Sequence, residues 1–354
     1  MGILKLNETP VRTSRNFNIN NIKLDNIVIP EKIEDFNNIE IINESSKINI
    51  EERNNDFELV YGAGEILVNN IKQKSNKNLK LIIDSKKNEE IQLNFKFDKD
   101  NLNLLDNIQI IANEGAKATV IIKYESSKTE EAFHNGIIKT LAKENSKINI
   151  SLVNLMNEST NNFISIQNDI EKLAEVNYTI VDFGGKVSIT NYYSNITGEK
   201  ANNTLNTIYL GKDKQILDLN YIAELRGEKS NIDIDVIGAL KENAKKHFKG
   251  TIDFKKGAKK AKGNENEYCM LLSDNAKSIA LPMLLCSEED VEGNHSSSAG
   301  KIGEKELFYI MSRGFKLKEA LKLMVRAKFN KVLDGIQNEN LKEQIIEEID
   351  KRLD

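Results

Sequence analysis

The sequence predicts a mainly β chain, a solenoid of stacked parallel strands set between a short N-terminal arm and an α-helical C-terminal region. Three observations carry that expectation. From Lys47 to Leu285 short apolar or alternating segments succeed one another with turn residues between them. A small residue after a Gly or charged turn recurs at Ala116, Ser146, Ala174, Ala201, Ser230 and Ala258, spaced by 30, 28, 27, 29 and 28 residues, and Ala244 falls halfway between the last two. Beyond Gly303 the apolar spacing becomes that of helices.

Residues 1–45 form the arm. Thr9-Pro10-Val11-Arg12-Thr13-Ser14 and the Asn-rich stretch Asn16 to Asn26 carry too few apolar residues for a core. Ile27-Val28-Ile29-Pro30 is expected as one edge strand, since proline cannot donate to a sheet ladder. The arm is expected to lie over the next domain.

Residues 46–300 form the core. Ile48-Asn49-Ile50, Phe57 to Tyr61, Leu79 to Ile83, Ile91 to Phe97, Ile108 to Ile111 and Ala118 to Ile122 read as strands, with no long helix among them. A coil near 28 residues with a sub-period near 14 fits a solenoid of two or three faces, each strand stacked in parallel on its equivalent one coil later. A sandwich would need no such constancy. One coil cannot bury its own inward residues, so the ends need caps: the arm at one and the segment from Leu281 to Asp354 at the other.

Residues 301–354 are expected to be helical. A first helix carries Leu307, Phe308, Ile310 and Met311 on one stripe with acids in its first turn, and Ser312-Arg313-Gly314 ends it with a glycine suited to a left-handed C-cap. A second helix comes next, with Leu317, Ala320, Leu321, Leu323, Met324, Ala327 and Phe329 on its buried side. Leu333, Ile336, Leu341, Ile345, Ile346, Ile349 and Leu353 then recur at helical spacing, a stripe that packs on the preceding helix.

Composition narrows the function. The charge of -4 over 354 residues, with lysines matched by acids, is no nucleic-acid footprint, and the longest apolar runs are too short to span a membrane. Two cysteines and an N-terminus without a signal-peptide pattern point to the cytoplasm.

Few residues offer chemistry. His295 is either an iron ligand or proton shuttle, or a histidine hydrogen-bonded at a strand-to-helix corner. Cys269 and Cys286 lack the short spacing of cluster ligands and read as small buried hydrophobes, Cys286 at an inward strand position. Glu288-Glu289-Asp290 reads as oxygen ligands or as an exposed turn. His134 and His247 read as structural. Gly62-Ala63-Gly64 and Gly184-Gly185 read as glycine turns with no following helix, which removes a phosphate cradle.

One signature is specific. Leu307-Phe308-Tyr309-Ile310-Met311-Ser312-Arg313-Gly314, preceded by His295 and Ile302-Gly303-Glu304 and succeeded by Glu319-Ala320 and Phe329, resembles the C-terminal signature of the SufB/SufD family of iron-sulfur cluster assembly proteins. The resemblance implies a right-handed parallel β-helix flanked by helical regions, acting as a non-catalytic scaffold. It implies pairing with a SufB-like subunit, or with a second copy of the chain, and docking of a SufC-like ABC ATPase on the C-terminal helices. Leu307, Phe308, Ser312, Arg313, Gly314 and Phe329 would be the partner-binding residues. His295 would stand near a shared site for iron or a transient iron-sulfur cluster at the interface, with no tightly bound cofactor. SufD members similarly place a histidine after an Asp-Val pair, here Asp290-Val291. SufB members instead tend to show His-Glu, where this chain has His295-Ser296, and carry a reactive cysteine before the proline matching Pro282, where Asp274 to Ser278 offers none. The departures favour SufD, and the arm looks trimmed against a larger helical N-terminal region in full-length members. Two alternatives stay open: a SufB-like primary scaffold acting as a homodimer with SufC, and a carbohydrate-active or adhesive β-helix. Against the latter stand the absent tryptophan, the missing export signal and the lack of a paired-carboxylate site.

Overall fold

The computed structural model describes residues 3–13, 19–52, 56–126 and 131–354, so Ser14 and residues 16–18 of the expected arm lie outside the described residues. The chain begins with β1 (Leu4–Leu6), β2 (Ile22–Leu24), β3 (Ile39–Asn43), β4 (Ile48–Glu52) and helix α1 (Glu65–Lys74). Eight coils of two strands come next. They are β5 (Lys77–Ile83) with β6 (Glu89–Phe97), β7 (Asn103–Ala112) with β8 (Lys117–Ser126), β9 (Phe133–Ala142) with β10 (Lys147–Leu155), and β11 (Asn161–Ile170) with β12 (Glu175–Asp182). Then come β13 (Val187–Ile196) with β14 (Asn202–Gly211), β15 (Ile216–Leu225) with β16 (Asn231–Leu240), β17 (Lys245–Phe254) with β18 (Ala261–Leu271), and β19 (Lys277–Cys286) with β20 (Val291–Lys301). Helices α2 (Glu304–Ser312), α3 (Leu317–Leu333) and α4 (Glu339–Leu353) complete the order.

The coil has two faces. Odd strands β5 to β19 stack in parallel into one sheet and even strands β6 to β20 into the other, each sheet finished by one antiparallel strand, β4 or β3, to make nine. Inward side chains of both sheets share one core, in which Tyr124, Tyr178, Tyr192 and Tyr221 stand among Ile, Leu and Val.

The repeat is a corner device. Gly115, Asn145, Leu173, Lys200, Lys229 and Lys260 all adopt positive φ between 56° and 64°, turning the chain sharply before an even strand. The next residue points into the core and is small: Ala116, Ser146, Ala174, Ala201, Ser230 and Ala261 are at most 1% exposed. The last member is thus Ala261 and not Ala258. Register pairs Asn231 with Lys262, and Ala258 accepts from Ala261 N as Gly227 accepts from Ser230 N. Ala244 belongs to the opposite corner, ahead of β17.

Several local expectations are corrected. Ile27–Pro30 and Phe57–Tyr61 are irregular, and the arm's hairpin is instead β1 with β2. A helix does come after Gly62-Ala63-Gly64: α1 starts after Gly64 and buries Leu67 and Ile71. It packs with Leu6, Leu24 and Phe57 on outward Leu105, Phe133, Phe163 and Val187 of the odd sheet. Asn7 pins the arm there, donating from Nδ2 to Asp218 Oδ1 at 2.6 Å and accepting from Asn191 Nδ2 at 2.9 Å.

The caps also differ from expectation. The first coil is covered by Phe36, Ile39, Ile48 and Ile50 from β3, β4 and their approach. The other end is not covered by the helices. Instead α3 and α4 lie along the outward face of the even sheet, where Val325, Phe329, Val332, Leu341, Ile345 and Ile349 meet Ile121, Val153, Val181, Phe183, Ile208 and Met270. With Ala239 of β16 included, the outward strand residues are apolar over six coils, so the lateral face competes for the helices and wins. As a result Leu317, Leu323 and Ala327, expected on the buried side of α3, are exposed, and Val325, Val332 and Leu333 take their place. Gly314 has the expected positive φ, 98°.

Candidate functional site at the open end of the solenoid

The last coil has no strand stacked beyond it among the described residues, since β19 and β20 are the edges of their sheets. Its inward residues therefore look out of the solenoid mouth. The inward face of β20 is fixed by its contacts: Val291 packs against the core, and Ser297 Oγ donates to the buried Glu267 Oε2 at 2.7 Å. Asn294 and Ser296 face outward, bonded to Asn264 and Asn266 one coil below. His295 falls between Val291 and Ser297 on the inward set, in register with Glu265, and is exposed because nothing covers it. It sits mid-strand, not at the strand-to-helix corner the sequence suggested.

Beneath it lies a charged lining that the sequence did not disclose. Lys246 of β17 and Glu267 of β18 are fully buried and paired, Nζ to Oε1 at 2.7 Å. The same Oε1 accepts from Tyr209 Oη at 3.1 Å, and the ammonium lies 5.8 Å and 5.7 Å from the Tyr209 and Phe248 ring centres. Glu267 is fully engaged. Glu265, two residues earlier on the same face, is only 1% exposed, yet neither of its carboxyl oxygens has a hydrogen-bond partner among the described residues. Burial, with a smaller contribution from the Glu267 charge, pushes its pKa up to about 8.

The cysteines diverge. Cys269 is fully buried beside Tyr209, and burial raises its thiol pKa. Cys286 pairs in register with the core residue Phe254, so its direction is inward, but it is exposed and not a buried hydrophobe, because no ninth coil covers it. Its Sγ donates to Glu288 O at 2.9 Å. Glu288, Glu289 and Asp290 form the turn before β20, where Glu288 accepts from Gly257 N and Glu289 N. No three His, Cys, Asp or Glu side chains converge as a metal-binding group among the described residues.

The other histidines are remote. His134 is wholly buried between Asp106 Oδ1 at 2.8 Å and Asn162 Oδ1 at 2.7 Å. His247 lies on the outward face beside Asp218, at 3.6 Å.

Beyond the mouth, α2 buries none of its residues. Phe308 is 74% exposed, and Tyr309, Met311, Phe315 and Leu317 are exposed as well. Arg313 stacks on Tyr309 at 5.0 Å and donates to its hydroxyl. Phe329, by contrast, is fully buried and stacked on Phe183 at 6.2 Å, so it contributes packing and not a contact surface. No helix among the described residues is long and apolar enough to cross a membrane.

Comparison with known proteins agrees with this architecture. Residues 95–328 match the family described as "SUF system FeS cluster assembly, SufBD core domain". The chain is 22% identical over 252 residues to the iron-sulfur cluster assembly protein SufD of Bacillus subtilis, covering 71% of this chain and 58% of that one. It is 27% identical over 233 residues to a SufBD family protein of Pyrococcus horikoshii, covering 65% and 50%, and 26% identical over 224 residues to one of Archaeoglobus fulgidus, covering 61% and 58%. It thus spans 50% to 58% of the length of these relatives. With the match running through seven complete coils and into α3, the chain belongs to the SufBD core family of the SUF iron-sulfur cluster assembly system.

Proposed function

We propose that this chain is a SufD-like scaffold subunit, non-catalytic itself, that pairs through the open end of its solenoid with a SufB-like subunit and is moved by a SufC-like ATPase docked on α2. The observation that carries the reading is the exposure of an inward histidine, His295, on a coil whose strand edges are unpaired. Edge strands offer backbone donors and acceptors to another chain, so pairing there would bring His295 against the partner's own mouth. Iron and sulfide are the substrates of such a site. Clusters are held mainly by thiolates, and this chain has one exposed thiol, Cys286, so the partner would supply most ligands. The apolar face of α2 around Leu307, Phe308 and the Ser312-Arg313-Gly314 turn supports the ATPase contact, because a helix with no buried residue gains little from its own fold.

The test is co-expression with a SufB-like and a SufC-like protein, then anaerobic reconstitution. Phe308→Asp should release the ATPase and leave the SufB pairing, and His295→Ala should lower cluster yield in the intact complex several-fold. Cluster formation by this chain alone, as a homodimer, would replace the reading with a SufB-like primary scaffold. Unchanged yield from His295→Ala would remove the histidine from the site.

A further inference from the structure

Lysines at the starts of the strands are neutralised in one sheet and not in the other. Where the even sheet sets Lys117 beside Lys147, Glu175 stands in register on the far side and bonds Lys147 at 2.6 Å. Lys262 likewise has Glu292 in register at 3.0 Å. Like charges directly opposite each other destabilise a sheet, so these acids are what that surface needs. In the odd sheet the equivalent position sets Lys245 of β17 in register with Lys277 of β19, both exposed, and neither forms an ion pair among the described residues. Lys214, two residues ahead of β15, adds a third ammonium in the same condition. The three side chains line one hollow of about 510 Å3 with the amides of Asn243 and Asn275 and the partly buried Ile216. Its one acid, Asp274, is already held by Lys301 at 2.5 Å. In a chain of net charge -4, three unneutralised positive charges thus converge on a hollow of small-molecule size.

We infer that this hollow, at the odd-sheet corner of the last three coils, binds the polyphosphate chain of a small molecule. The charges set the class. Ammonium groups exposed to water hold a single counter-charge weakly, so the ligand must present several charges at once, to side chains rooted on strands about 4.8 Å apart. Successive phosphoryl groups do so. Lysine acts on phosphate as a point charge, whereas planar carboxylates are matched by the arginine fork, and no arginine lines the hollow. The Asn243 and Asn275 amides can donate to phosphate oxygens, and Ile216 offers an apolar rest for an organic group beyond them. Inorganic pyrophosphate and a nucleoside diphosphate share that chemistry. The inference uses neither His295, nor a metal ion, nor a partner chain, so its failure and that of the scaffold reading are separate.

The experiment titrates the purified full chain, free of divalent metal and at low ionic strength, with pyrophosphate, with ADP and with an oligoglutamate peptide, read by calorimetry and equilibrium dialysis. One pyrophosphate should bind, with affinity lowered about tenfold in Lys245→Ala and in Lys277→Ala. Lys277→Glu should abolish binding and leave the melting temperature unchanged or higher, because it gives the odd sheet the lysine–glutamate pairing of the even one. Lys262→Ala, which breaks a pair in the even sheet, should leave binding as it is. Every residue replaced is exposed, so the variants keep the fold. Tighter binding of ADP supports a nucleotide and tighter binding of pyrophosphate a free phosphate, both within the inference. No binding of either phosphate, binding that survives Lys277→Glu, or tighter binding of the oligoglutamate than of both phosphates overturns it.

Discussion

Lys246 and Glu267 form a pair whose worth lies in its completeness. Removing one member of a buried ion pair costs about 3–5 kcal/mol, because the other is left charged in the core. Lys246→Met should therefore lower stability to urea by roughly that amount, and adding Glu267→Gln to the same chain should restore much of it. If the double variant is no better than the single one, the carboxylate is not the source of the loss. Asp182 offers a residue-level test in pH. Burial raises its pKa to about 6, against the donated bonds of Ser188 and Asn154, from an ordinary value of 3.8. The native state then holds that proton more tightly than the unfolded chain. Its contribution is fully present below about pH 4 and fades as pH rises to about 6, with a slope of at most about 1.4 kcal/mol per unit. Asp182→Asn should flatten that part of the stability profile, read from denaturation midpoints between pH 4 and 7. None of these residues was legible. Lys262-Gly263-Asn264-Glu265-Asn266-Glu267-Tyr268 has no apolar alternation, so the inward set cannot be told from the outward one without the register of neighbouring coils. Counting one coil back from His295 would have reached Glu265; nothing would have said that it lacks a partner.

At the scale of elements, the corners explain why the repeat is visible in the sequence and why its last member is not. The small residue after the turn is required by space, and that requirement survives in the sequence as Ala or Ser. The left-handed residue before it is required only by the backbone, and this chain fills it with Gly, Asn, Leu or Lys, so no single letter marks it. Leu173 is the least suited, a branched side chain at φ 56° and partly exposed. Leu173→Gly should stabilise the chain by about 0.5–1 kcal/mol, the strain relieved exceeding the entropy glycine adds; a fall in melting temperature would contradict it. The helices were legible in existence and in their Gly314 stop, because caps and period are local. Their resting place was not. Leu317 and Leu323 have the spacing of a buried stripe, but only the apolar outward face of the even sheet decides which stripe of α3 is covered. Helix α1 escapes the sequence pattern because it has only two buried residues in ten, too short a signal to stand out from the strands around it.

For the whole molecule, stacking makes stability a matter of neighbours, and the two ends are unequal. Hydrogen exchange should be slowest in the middle coils and fastest in β19 and β20, with protection rising at the mouth when a SufB-like partner is added. Uniform protection along the axis would argue against an open end. The lateral helices belong to the same cooperative unit: Phe329→Ala, opening a cavity against Phe183, should cost about 3–5 kcal/mol. The parallel stacking was foreseeable from the constant period, whereas the uncovered end was not, since periodicity records the internal spacing of a series and not how the series terminates. In-register stacking also makes axial length a counted quantity. Each added or deleted coil moves the mouth relative to the first coil by one strand spacing, roughly 4.8 Å, without altering either surface. Relatives of different size could thus keep identical termini while differing in reach, like rulers cut at different marks.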